Sequence, residues 1–128
     1  KILSNVFESK CLILRTFPVF GSNENEKRLV PSLLKAIREK KNFTINNPKE
    51  IRDFSNIDYI IEKILNAAKF SGKMKKSCDE WHLASGKKIK VGDFVKNICK
   101  INNYKQKLIY KNSKINLFHH ISDKKSIW

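Results

Sequence analysis

The chain has 128 residues, 41% of them hydrophobic, enough for one globular domain with a substantial core and too apolar for an intrinsically disordered polypeptide. Its formal charge of +15 suggests an anionic partner, but lysine outnumbers arginine 23 to 4 and the lysines are spread over every segment. No aromatic residues interleave with them as a nucleic-acid stacking platform requires, no apolar run approaches the roughly 18 residues that span a bilayer, and no signal peptide is visible; neither nucleic acid nor membrane is an expected partner.

Taken in order, Ile2, Leu3, Val6 and Phe7 read as the tail of an amphipathic helix. With Lys1 in place of an initiator Met, this suggests a piece of a longer polypeptide. Cys11 to Arg15 is a short continuous apolar run, the pattern of a parallel strand covered on both faces. Pro18 and Gly21 end it in a polar loop, and ligands of open α/β sheets sit outside such strand ends, so the loop is a candidate site wall. Residues 27–41 form a helix through Val30, Leu33, Leu34 and Ile37, with Pro31 tolerable in its first turn. Phe43 to Ile45 is strand-like and Asn46 to Lys49 a turn.

The most regular segment follows. Ile57, Ile60, Ile61, Ile64, Leu65 and Ala68 recur with helical spacing, predicting one continuous buried stripe as far as Phe70. Ser55 with Asp58 is a capping-box pattern at its start. Arg52, on the extended residues just before, stands beside that helix N-terminus, either as a phosphate-binding cation or as a partner of neighbouring acidic groups. After a Lys-rich loop at Lys73, Lys75 and Lys76, Glu80 to Ala84 reads as a second buried strand ended by Ser85-Gly86, followed by a short extended piece at Lys88 to Val91. Asp93 is placed to cap a helix carrying Phe94, Val95, Ile98 and Cys99, and weaker strand signals lie at Gln106 to Tyr110 and Asn116 to His119. Cys11–Thr16 and Trp81–Ser85 are expected as parallel neighbours, with the helix from Ile57 packed on one face.

Catalytic candidates are few. His82 within an apolar strand reads as a structural residue, and His119-His120 would point to opposite faces of a strand, a poor geometry for one metal. Cys11, Cys78 and Cys99 are far apart, odd in number and without CxxC spacing, so neither a disulfide framework nor a zinc site is indicated and a reducing, cytoplasmic compartment is expected.

Four segments together resemble the C-terminal half of extended short-chain dehydrogenase/reductases, the NAD-dependent nucleotide-sugar epimerase/dehydratase family. Cys11 to Gly21 (CLILRTFPVFG) is similar to the family's xILRxFNVYG strand and loop, and Lys27 to Pro31 to its xxLIP helix start. Ile51 to Asp58 is similar to xRDFxxVxD, and Trp81 to Gly86 with Val91 to xxNIGSG…xS. Pro18 stands where the family usually has Asn.

The resemblance implies an α/β fold: the C-terminal part of a Rossmann-like doubly wound sheet with a small α/β substrate-binding portion. Residues 1–128 would be the substrate-binding fragment, and the NAD or NADP cofactor would be bound by an N-terminal Rossmann portion, outside this chain, that carries the GxxGxxG and YxxxK motifs. It further implies that Phe17, Pro18 and Val19 touch the nicotinamide end of the cofactor, and that Arg28, Leu29 and Arg52 line the pocket of a nucleotide-diphosphate sugar. The full-length protein would be a homodimer, with no catalytic residue contributed by this chain. The alternative is a free-standing basic module that binds an anionic ligand or nucleic acid without chemistry.

Overall fold

The computed structural model describes residues 10–74 and 78–112. The expected helix tail at residues 2–8, Lys75 and Lys76, the strand at 116–119 and the His119-His120 pair lie outside them. The elements in order are β1 (Cys11–Thr16), β2 (Val19–Phe20), α1 (Leu29–Arg38), β3 (Phe43–Asn46), β4 (Ile51–Asp53), β5 (Ser55–Asn56), α2 (Ile57–Ser71), β6 (Cys78–Leu83), β7 (Lys88–Lys90), α3 (Val91–Ile101) and β8 (Leu108–Lys111). The class is α/β, as expected.

β1 and β6 are parallel neighbours, in register from Cys11 opposite Cys78 to Thr16 opposite Leu83, and α2, which connects them, packs on both. β6 starts earlier than expected and stops at Leu83. Its end is set by Asp53, whose carboxylate accepts the Ser85 and Gly86 N–H groups at 2.9 and 2.7 Å and so turns them away from the ladder. β1 is less covered than its apolar run suggests. Cys11 to Leu14 are half-buried and Arg15 and Thr16 are exposed.

The stripe on α2 is also not continuously buried. Ile60 and Ala67 are 2% and 0% exposed, whereas Ile61, Ile64 and Leu65 are 47%, 40% and 57% exposed. Two strands about 4.8 Å apart make a sheet narrower than a helix about 10 Å across, so only one flank of the stripe is covered. The cap differs as well. Asn56, not Ser55, holds the N-terminus, its Oδ1 accepting from the Asp58 N–H at 2.7 Å. Ser55 belongs to β5, which pairs in parallel with β2, and its backbone N–H donates to the Pro18 carbonyl at 3.0 Å. Gly21 lies so close to the start of α2 that a side chain there would collide with Ile57, whose Cβ would be 2.8 Å away.

The second half closes on itself. Leu33, Ile45, Val91, Val95 and Cys99 form a buried cluster between α1, α3 and the parallel β3–β8 pair. Pro31 is the third residue of α1, where it removes no helical hydrogen bond. α3 begins two residues before the expected Asp93 cap, because its first N–H groups already have partners. Val91 donates to the Glu50 carbonyl and Gly92 to that of Pro48, both at 2.9 Å. Asp93 instead sits in the first turn, 3.7 Å from Lys96. β7 runs antiparallel to β4, which joins the two halves at the segment carrying Arg52.

Candidate functional site

β1 ends at Arg15-Thr16, and the Phe17-Pro18 link to β2 forms a wall of a cavity of about 520 Å³ lined by Arg15, Thr16, Phe17, Pro18, Arg28 and Arg52. An adjoining cavity of about 190 Å³ shares Pro18, Arg28 and Arg52 and adds Val19, Glu24 and Leu29. All six residues singled out from the sequence, Phe17, Pro18, Val19, Arg28, Leu29 and Arg52, are therefore brought together at the carboxyl end of β1. A third cavity, about 420 Å³, lies beyond the loop from Gly21 against Val30, Pro31 and Leu34, and contains none of Arg15, Arg28 or Arg52.

The composition of the first cavity is selective. Three of the chain's four arginines line it and none of the lysines among the described residues does. Each guanidinium is held by a glutamate. Arg15 Nε contacts Glu80 Oε1 at 2.8 Å, Arg28 Nε contacts Glu24 Oε1 at 2.8 Å, and Arg52 engages both oxygens of Glu50 through Nε and Nη2 at 2.9 Å. A carboxylate on the Nε edge fixes the plane of the guanidinium, and with it the direction of the remaining N–H donors. The pairs differ in burial. Arg15 and Arg28 are 63% and 58% exposed against 33% for Arg52, so their ion pairs are the more screened by solvent, while Glu24 and Glu50 are both largely buried, at 12% and 7% exposure.

Arg28 is also the residue at the N-terminus of α1, which has no side-chain cap and no acidic residue in its first turn. The positive end of the helix dipole and three cations thus face one space, an arrangement suited to a phosphate or diphosphate.

Asp53, next to Arg52, takes no part in the ion pair. It is 1% exposed and accepts from the Ser85 N–H, the Ser85 hydroxyl at 2.6 Å and the Gly86 N–H. Gly86 has φ +76°, a conformation that favours glycine. His82, on β6, is the register partner of Arg15. It is 9% exposed, packs edge-on to Phe17 with ring centroids 5.5 Å apart, and lies 3.3 Å from Glu80. Among the described residues no group of three or more His, Cys, Asp or Glu side chains is placed to hold a metal, and no helix is long and apolar enough to cross a membrane.

Sequence reasoning missed Arg15 as a cavity residue and Glu24, Glu50 and Glu80 as its organisers. The signals were present. Glu24 precedes Arg28 by one helical turn, and Glu50 precedes Arg52 by two residues in extended chain, which places both side chains on one face. The lettering YxxxK, expected only upstream, also occurs within the chain at Tyr110 and Lys114, the latter outside the described residues, and at Tyr59 and Lys63. On α2 these residues make local contacts, Lys63 Nζ 5.1 Å from the Tyr59 ring centroid and the Tyr59 hydroxyl donating to the Ala84 carbonyl at 3.3 Å. Neither lines the arginine cavity.

No protein-family model and no curated protein sequence matches the chain. Solved structures do. The UDP-glucose 4-epimerase of Thermotoga maritima with UDP-glucose superimposes with a TM-score of 0.79 at 18% identity, over 97% of this chain and 40% of that one. The fold is that of a part of a nucleotide-sugar epimerase. The dTDP-glucose 4,6-dehydratase of Bacillus anthracis in complex with NAD gives 0.75 at 10% identity, over 94% of this chain and 38% of that one. The UDP-N-acetylglucosamine 4-epimerase of Methanobrevibacter ruminantium, in complex with UDP-N-acetylmuramic acid, gives 0.72 at 18% identity, over 93% and 38%. The chain thus spans about 40% of the length of the structures it matches, and at these identities what is shared is the fold.

Proposed function

We propose that the chain is the substrate-binding portion of an NAD(P)-dependent nucleotide-sugar epimerase, dehydratase or reductase, with a nucleotide diphosphate in the arginine cavity. The observation that carries this reading is the convergence of Arg15, Arg28 and Arg52, against a lysine-rich background, on a cavity at the end of β1. Planar guanidiniums match phosphate oxygens two at a time, which a lysine point charge does not. Arg28 and Arg52 contact the diphosphate and Leu29 lies against the nucleotide.

Phe17, Pro18 and Val19 offer an apolar surface to the nicotinamide end of NAD or NADP. The fit to the cofactor stops there. The chain's glycines stand at positions 21, 72, 86 and 92, none spaced to make a phosphate-cradling loop, so the dinucleotide phosphates require a separate Rossmann portion. When bound, the cofactor supplies hydride transfer; this chain positions the sugar nucleotide beside it.

The test is binding of UDP and dTDP ligands to the polypeptide that includes the N-terminal portion. Arg28→Ala is expected to raise the dissociation constant roughly ten- to a hundred-fold, the loss of about 1.5–3 kcal/mol of charge-assisted hydrogen bonding. The melting temperature should fall by no more than a few degrees, since the Arg28 guanidinium is exposed. Unchanged nucleotide binding in Arg28→Ala would remove this residue from the site. The 128-residue chain alone is expected not to bind NAD or NADP tightly, and a low-micromolar affinity by calorimetry would overturn the proposed division of labour.

A further inference from the structure

Cys11 and Cys78 occupy opposite ends of the β1–α2–β6 unit in sequence, yet they are direct partners in the parallel register, the first pair of the ladder. Adjacent strands lie about 4.8 Å apart, within the roughly 4.4–6.8 Å between Cα atoms that a disulfide tolerates. Register partners also carry their side chains to the same face of the sheet. Both thiols are free and half-buried, hence reachable by a small oxidant, whereas Cys99 sits in the α1–α3 core at 6% exposure. Burial also raises the pKa of the Cys99 thiol, which lowers its share of reactive thiolate.

We propose that Cys11 and Cys78 form a cross-strand dithiol, a redox-modification site that closes to an intramolecular disulfide under mild two-electron oxidation and staples β1 to β6. The inference is independent of what the arginine cavity binds. With glutathione disulfide as oxidant, one protein thiolate attacks its S–S bond and releases one glutathione thiolate. The second protein thiolate then displaces the other glutathione as the protein S–S bond forms. The protein loses two electrons and two protons, and glutathione disulfide gains them as two thiols. The staple would sit at the end of the strands remote from Arg15 and would fix the register that sets Arg15 beside Glu80.

The experiment oxidises the full chain with glutathione disulfide and follows free thiols, a non-reducing peptide map and the melting temperature. Of three free thiols, two are expected to disappear, with Cys11 and Cys78 peptides linked in the monomer. The melting temperature should rise by about 5–15 °C and fall back on adding dithiothreitol. Cys99→Ser should leave these changes intact, and Cys11→Ser or Cys78→Ser should abolish them. A link to Cys99, disulfide-linked dimers, glutathione retained on each cysteine, or three thiols surviving would each overturn the proposal. The wild-type peptide map decides the matter even where a serine variant fails to fold.

Discussion

Leu33 on α1 is 0% exposed and Leu65 on α2 is 57% exposed, although both lie on helices whose apolar residues repeat at helical spacing. The difference comes from what each helix meets. α1 faces α3 across the β3–β8 pair, and the cluster of Leu33, Ile45, Val91, Val95 and Cys99 is complete within the chain. Among the described residues α2 packs on β1 and β6, with β2 and β5 at its start, and none of these covers Ile61, Ile64 and Leu65 fully. A periodic stripe states which face of a helix is apolar; whether anything covers that face depends on how many strands lie beneath it.

The sharpest way to break this contrast is to truncate both leucines. Leu33→Ala should cost about 2–5 kcal/mol, through lost burial and a residual cavity, whereas Leu65→Ala should stay within about 0.5 kcal/mol. Urea unfolding of the two variants measures both. An equal cost would show that the α2 face is covered in solution.

The two sides of the arginine cavity repeat the contrast on a smaller scale. Arg52→Ala removes the bidentate ion pair of Glu50, which is 5% exposed, and should destabilise the fold by about 1–3 kcal/mol, the larger figures for buried pairs being reduced because Arg52 is itself one-third exposed. Arg28→Ala breaks a pair whose arginine is 58% exposed and should cost no more than about 1 kcal/mol. Arg52→Lys should fall between, keeping a charge near Glu50 but losing the bidentate geometry. Matching losses for Arg28→Ala and Arg52→Ala would mean that Glu24 is as dependent on its arginine as Glu50.

These particulars mark what the chain's lettering conveys. The parallel pairing of β1 with β6 and the α/β class were legible, because buried runs and loop breakers are encoded by neighbouring residues, whereas the grouping of Phe17, Arg28 and Arg52 came from the family resemblance. The partners of the arginines were less legible. Asp53 was the sequence-level candidate to pair with Arg52, but its carboxylate is taken by Ser85 and Gly86, far along the chain, and Glu50 takes the arginine instead. The Asp93 cap failed for a similar reason, since the loop carbonyls of Pro48 and Glu50 had already satisfied the start of α3. Long-range backbone acceptors leave no local signature, and they decided both outcomes.

The start of α2 gives the smallest and most discriminating test. A capping box headed by Ser55 predicts that Ser55→Ala costs about 1 kcal/mol and that Asn56→Ala is neutral. The structure reverses the order. Asn56 Oδ1 accepts from the Asp58 N–H at 2.7 Å, so Asn56→Ala should lose about 1 kcal/mol and speed hydrogen exchange at that amide. The Ser55 hydroxyl is buried without a hydrogen-bond partner among the described residues. Removing it relieves an unsatisfied polar group, so Ser55→Ala should be neutral or slightly stabilising. Paired urea titrations, with amide exchange at Asp58, resolve the two orders. A loss confined to Ser55→Ala would move the helix start one residue earlier and take Asn56, then in the first helical turn, out of its extended pairing with Phe20.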